Sequence, residues 1–129
     1  MTPQRELLEL LAETAEQALD LDSPISLEEL SPGNSLYAEL GSGFTDTMYY
    51  DKSTVRTFPV LFLCRNKSQV RCLEQLGSIC NYFQRLKEYP RGRGFSWLDT
   101  EVAKEPSKIG RDEDGMYHYS CILNCKVYF

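Results

Sequence analysis

From Tyr117 to Phe129 the chain alternates without a break. Tyr117, Tyr119, Cys121, Leu123, Cys125, Val127 and Phe129 hold the odd positions, with His118, Ser120, Asn124 and Lys126 among the even ones. A period of two sends alternate side chains to opposite faces of an extended chain, so this stretch predicts a strand with one apolar and one mostly polar face. Such a strand needs a pairing strand beside it and an apolar layer beneath it. The preceding residues supply the partner: residues 95–105 read as a second strand, closed by Pro106. Residues 109–115 read as the turn, where Asp and Gly suit the positive-φ positions of a hairpin.

The apolar layer comes from two helical patterns. Residues 3–20 place Leu7, Leu8, Leu11, Ala15, Ala18 and Leu19 on one stripe, with Thr2 as cap and Pro3 at the first helical position. Residues 69–88 form the second helix, capped by Ser68. Its stripe is Leu73, Leu76, Cys80, Phe83 and Leu86, flanked by Val70, Cys72 and Ile79, and Tyr89-Pro90 ends it. Between the helices, turn signals around residues 21–34 enclose a short helical turn at 26–30. Residues 35–40 read as a strand broken by Gly41-Ser42-Gly43, and residues 44–50 as an extended piece or a loop. Residues 53–65 read as a strand whose run Val60-Leu-Phe-Leu-Cys64 suggests cover on both faces. Pro59 cannot donate to a ladder, so it belongs at an edge or a bulge. The order predicts an α+β fold: a mostly antiparallel mixed sheet of about four strands packed against two main helices. One domain, residues 1–129, accommodates it.

Charge and composition narrow the function. The net charge of −5 opposes a broad nucleic-acid footprint, which wants a basic face. Lys87, Arg91 and Arg93 form a local basic cluster that suits a helix end and its loop. No apolar run approaches the length of a membrane span. The N-terminal residues do not resemble a leader, which places synthesis and residence in the cytosol. The five cysteines, an odd number without a CxxC, read as reduced core thiols rather than a disulfide framework or zinc site.

Catalytic equipment is not recognisable. The single histidine, His118, lies on the polar face of the last strand, and no serine or cysteine sits in a nucleophile motif. Residues 112–115, Asp-Glu-Asp-Gly, are similar to a calcium loop, but Gly110 stands where an Asp is wanted, and turn chemistry accounts for them better. No catalytic, cofactor-binding or metal-binding residue is assigned, and no cofactor is expected.

Three segments together resemble a known family. They are Arg65-Asn-Lys-Ser68, Cys80-Asn-Tyr-Phe83, and the block from Glu105 through Pro106, Gly110, Arg111, Asp112 and Gly115 to Tyr119. Over residues 35–129 the chain resembles the tail-terminator-like minor capsid proteins of tailed phages and prophages of Gram-positive bacteria. The resemblance implies a structural virion protein with a sheet packed against helices, not an enzyme. It implies a ring, usually a hexamer, made in the bacterial cytoplasm and seated in the neck at the head-proximal end of the tail. There it would stop tube growth and meet three partners: its own copies, the tail tube protein and the head-closure or connector protein. A ring needs heterologous contacts, and two turns are candidates for subunit or tube contact: Tyr49 and Tyr50 in one, Arg111, Asp112 and Asp114 in the other. Half-buried strand positions for the tyrosines, and a purely local role for Arg111 and Asp112 within their hairpin, are the competing uses. The competing functions are another neck component, a small cytosolic enzyme or ligand-binding domain, and a nucleic-acid binder.

Overall fold

The computed structural model describes residues 2–129. It is α+β, with eight elements in chain order: α1 (Pro3–Ala18), β1 (Ile25–Ser26), β2 (Ser35–Leu40), β3 (Phe44–Met48), β4 (Thr54–Asn66), α2 (Gln69–Arg85), β5 (Ser96–Arg111) and β6 (Tyr117–Tyr128). The strands form one six-stranded sheet in the order β1-β2-β4-β6-β5, with β3 also paired to β4. All pairings are antiparallel except β1 with β2.

The sheet consists of two long hairpins set side by side. In the first, β2 and β3 follow one another along β4: Ser35–Leu40 pair with residues 60–65, and Phe44–Met48 with residues 54–57. Gly41, Ser42 and Gly43 bulge between them, opposite Phe58 and Pro59. A Cβ on Gly43 would lie 2.5 Å from the Phe58 ring, so only glycine passes there. The Pro59 carbonyl accepts from Gly41 N–H at 2.7 Å on this side. The amide that proline lacks faces the same gap, as its chemistry requires. The second hairpin is β5–β6, turned at residues 112–115 with Gly115 at φ +80°.

Both helices cover one face. Phe58, Val60, Phe62 and Cys64 of β4 and Cys121, Leu123, Cys125 and Val127 of β6 are buried against Leu7, Leu11, Ala12 and Ala15 of α1 and Cys72, Leu76, Ile79, Cys80 and Phe83 of α2. Each helix starts on a side-chain cap: Thr2 Oγ1 accepts from Arg5 N–H, and Ser68 Oγ from Arg71 N–H, both at 3.3 Å. All five cysteines are buried free thiols. Burial pushes the Cys125 thiol up to about 12, so it stays neutral in the core.

The structure corrects several expectations. Pro106 does not close its strand: β5 continues to Arg111, with a register irregularity between Lys104 and Ser107 that accommodates the missing N–H. Because β5 is the edge of the sheet, proline is tolerated there. Residues 26–30 make no helical turn; Ile25 and Ser26 pair in parallel with Leu36 and Tyr37, and bends follow. Val70 and Leu73 are exposed rather than buried, and Gln75 takes a core position instead. Gln75 is held there by polar partners: its amide oxygen accepts from Asp22 N–H at 2.9 Å and its nitrogen donates to Arg71 O at 3.3 Å. On α1, Ala12 is buried and Ala18 is not. Residues 44–48 are a strand, which brings the strand count above the expected four.

Leu11→Ala opens a cavity among α1, α2 and the sheet and is expected to cost about 2–5 kcal/mol. Leu73→Ala removes only exposed surface and should stay within about 0.5 kcal/mol. Denaturant unfolding of both variants checks the contrast.

Candidate functional site

The two turns singled out from the sequence sit at opposite ends of the sheet, one beyond each end of β4. With 13 residues, β4 spans roughly 40 Å at about 3.3 Å per residue. Tyr49 and Tyr50 therefore do not converge with Arg111, Asp112 and Asp114 on one site. They mark two separate surfaces.

The first end is aromatic. Tyr50 is fully exposed, and Phe44, Met48 and Tyr49 are at least half exposed. The turn that presents them is rigid: Lys52 N–H donates to Tyr49 O at 3.0 Å, Tyr49 N–H to Ser53 O at 2.9 Å, and Lys52 adopts φ 71°. Asp51 Oδ1 accepts from the Ser53 amide and hydroxyl at 3.0 and 2.6 Å. The Tyr49 ring stands edge-on to Tyr128 at 6.1 Å, and the Tyr128 hydroxyl donates to Ser53 Oγ at 3.0 Å. The tyrosines are thus held outward on a braced turn and are not half-buried strand residues.

Beside this end, an open cleft of about 760 Å³ lies between the end of α2 and the start of β5, rimmed by Lys87, Arg91 and Arg93. Two of its aromatic residues stack on each other, Tyr89 on Trp97 at 4.8 Å, and Trp97 is backed by the core residue Phe83 at 5.5 Å. The Trp97 indole N–H donates to Thr100 Oγ1 at 2.9 Å. Glu6 of α1 accepts from the Arg93 and Gly94 amides, which ties the basic loop to the helix.

The second end is charged, and it is organised around a residue that sequence reasoning placed only within a family motif. Arg65, 9% exposed, pairs through Nη2 with Asp112 at 2.8 Å and Asp114 at 3.3 Å, and donates from Nη1 to Gly33 O at 3.1 Å. Asp112 also takes the Asp114 and Met116 amides on Oδ1, both at 3.0 Å, and His118 Nε2 on Oδ2 at 2.9 Å. Both carboxylate oxygens are occupied by donors from this protein, which accounts for residues 112–115 as turn chemistry rather than a cation loop. Among the described residues no group of His, Cys, Asp or Glu is arranged to hold a metal. Arg111 is exposed, with its guanidinium over the Tyr117 ring at 5.5 Å, and the Asp114 side chain is 82% exposed. Asp112 holds its own hairpin, while Arg111 and Asp114 carry the turn's outward charge together with Glu113. The signal that could have located Arg65 was an arginine at the end of an otherwise apolar strand, where burial demands a carboxylate partner.

The sheet face away from the helices is uncovered. It carries Tyr37, Leu61, Leu63 and Ile122, each half-buried, among Glu39, Lys104 and Lys126. Among the described residues no helix is long and apolar enough to cross a membrane.

The molecule is thus a one-layer sheet backed by helices, with a hydrogen-bonded turn at each end and the buried Arg65 holding the charged one. The model of the bacteriophage tail terminator protein family matches residues 22–129. The chain belongs to that family and is a structural component of the phage tail and virion, made to meet other virion proteins. No curated protein matches it. The family match begins after α1, yet α1 packs Leu7 and Leu11 into the shared core.

The Asp112 carboxyl is held below the ordinary aspartate value of 3.8, first by His118, then by the Met116 amide and Arg65, against the opposing effect of burial. A depressed folded-state value stabilises the fold above the unfolded value and is lost as pH falls through the folded one. Asp112→Asn is therefore expected to lower the denaturant midpoint at neutral pH, with the gap to the parent narrowing once pH drops below about 4. A gap that held constant into acid would contradict the role assigned to this carboxylate.

Proposed function

We propose that the chain terminates the tail: copies form a ring on the head-proximal end of the tail tube, stop further tube subunits from adding, and present a surface to the head's connector. The observation that carries this reading is the separation of two chemically different exposed turns by the full length of β4. A piece that must join two unlike neighbours along an axis needs two unlike ends. Tyr49 and Tyr50 form the aromatic contact, and Arg111 and Asp114, positioned by Asp112, form the charged one. Exposed aromatics on a rigid turn contribute affinity. Exposed charges contribute register and partner choice. The partners are other copies of the chain, the tail tube protein and the head-closure or connector protein, and the place of action is the neck.

The test is electron microscopy of lysates from phage lacking the gene. Filled heads beside unattached tails of abnormal length are the expected result. Unjoined tails of normal length would shift the role to head closure, and intact joined particles would overturn the reading. A finer test uses Tyr49→Ala/Tyr50→Ala. The purified variant should stay folded and lose no more than about 1 kcal/mol, the scale of the single Tyr49–Tyr128 edge contact, while infectious titre falls at least about tenfold, as loss of an interface aromatic hot spot predicts.

A further inference from the structure

The two edges of the sheet match each other at equal heights. On one side the outer strands are β2 and β3, and β3 is exposed at all five residues. On the other side the outer strand is β5. Following the register across the sheet, Phe44 aligns through Thr57 and Lys126 with Asp99. Thr47 aligns through Val55 and Tyr128 with Ser96, and Glu39 through Leu61 and Ile122 with Lys104. The pairings alternate in direction, so β5 runs antiparallel to both β2 and β3.

We propose that neighbouring copies join edge to edge, residues 96–105 of β5 in one copy pairing antiparallel with β3 and the end of β2 in the next, so that the sheet continues from subunit to subunit. This rests on the ring reading and names the contact that would build the ring. Three observations converge. First, copies placed side by side in the same orientation bring antiparallel strands together with no flip, which is the heterologous repeat a ring needs.

Second, the side chains at matching heights are complementary. Glu39 meets Lys104, both exposed and in the same row on the uncovered face, and exposed Phe44 lies near the level of exposed Leu98.

Third, the edges gain a covering strand or lose a backbone donor only where pairing must stop, while the irregularities at Trp97/Asp99 and Val102/Lys104 bend β5 within the pairing stretch without removing a donor. β1 occupies the flank of β2 at Leu36 and Tyr37, the heights of Lys108 and Ser107. β5 loses its N–H at Pro106, next to those heights, and is irregular on either side of it. Edge strands that must stay unpaired carry proline, lysine or bulges. β3 has neither proline nor lysine; its one irregularity lies at Asp46, between Thr45 and Thr47, where the carboxylate is engaged by the Thr57 hydroxyl at 2.8 Å.

The test places Phe44→Cys and Asp99→Cys in one full-length chain. Directly paired residues have Cβ atoms within disulfide reach, and the native thiols are buried, so background cross-linking is low. Mild oxidation of assembled tails should give a ladder of covalent oligomers on a non-reducing gel, ending at the closed ring, with no ladder from either single variant. In parallel, Lys104→Glu alone and Glu39→Lys alone should each abolish incorporation into tails, and the two together should restore it. Rings visible on tails without a ladder, and with Lys104→Glu incorporated normally, would overturn the edge contact and leave the ring reading standing. Parent tails that carry no ring of this chain would remove both.

Discussion

The ladder between β4 and β6 runs unbroken from Val55 opposite Tyr128 to Asn66 opposite Tyr117, and the rest of the molecule hangs on it. It places Phe58, Val60, Phe62 and Cys64 beside Cys125, Leu123, Cys121 and Tyr119, a continuous apolar surface on which both helices lie. A slip of one residue would turn this surface to solvent, so burial locks the register. The same ladder sets how far apart the two turns stand and which residues share a height on the two edges. The proposed contact surfaces are thus consequences of one pairing.

The two strands of that ladder were legible, though their pairing with each other was not. The alternation in β6 and the caps at Thr2 and Ser68 each carry a local signal that the fold does not contradict; the apolar run in β4 predicts cover on both faces, but the helices cover only the Val60, Phe62 and Cys64 face and leave Leu61 and Leu63 half-buried on the bare one. Pro59 also behaved as its chemistry demands, at the gap between β2 and β3. What could not be read depended on neighbours that the sequence does not name. Pro106 signals a strand end in isolation, but an edge strand tolerates it, and edge status follows from strand order. Val70 and Leu73 have helical spacing, yet they lie on the solvent face of α2, while Cys72 of the same turn is buried on the sheet. Gln75 looks solvated until Asp22 and the Arg71 carbonyl supply its partners.

The candidate surfaces divide in the same way. Tyr49 and Tyr50 stood out as aromatics in a turn, and the fold leaves both exposed on a hydrogen-bonded turn. The charged turn was visible as Arg111, Asp112 and Asp114, but its division of labour was not. Arg65, distant in sequence, takes up Asp112, and His118 adds a second donor to the same carboxylate. The turn's charges therefore split into a buried clasp and an exposed rim. An account from composition alone would have treated them alike, because the difference is made by one buried guanidinium. The family assignment gives these surfaces their context: a tail structural protein uses its polar chemistry to fix the shape that its neighbours recognise.

The most direct measurement is a density map of the neck in assembled virions, resolved well enough to trace strands. The account predicts a closed ring of this chain at the head-proximal end of the tube. In that ring β5 of each copy lies against β3 of the next, and the Tyr50 and Asp114 turns point to opposite partners along the axis. Finding the chain elsewhere in the particle, or in a ring whose subunits meet through their helices with the sheet edges left in solvent, would contradict it.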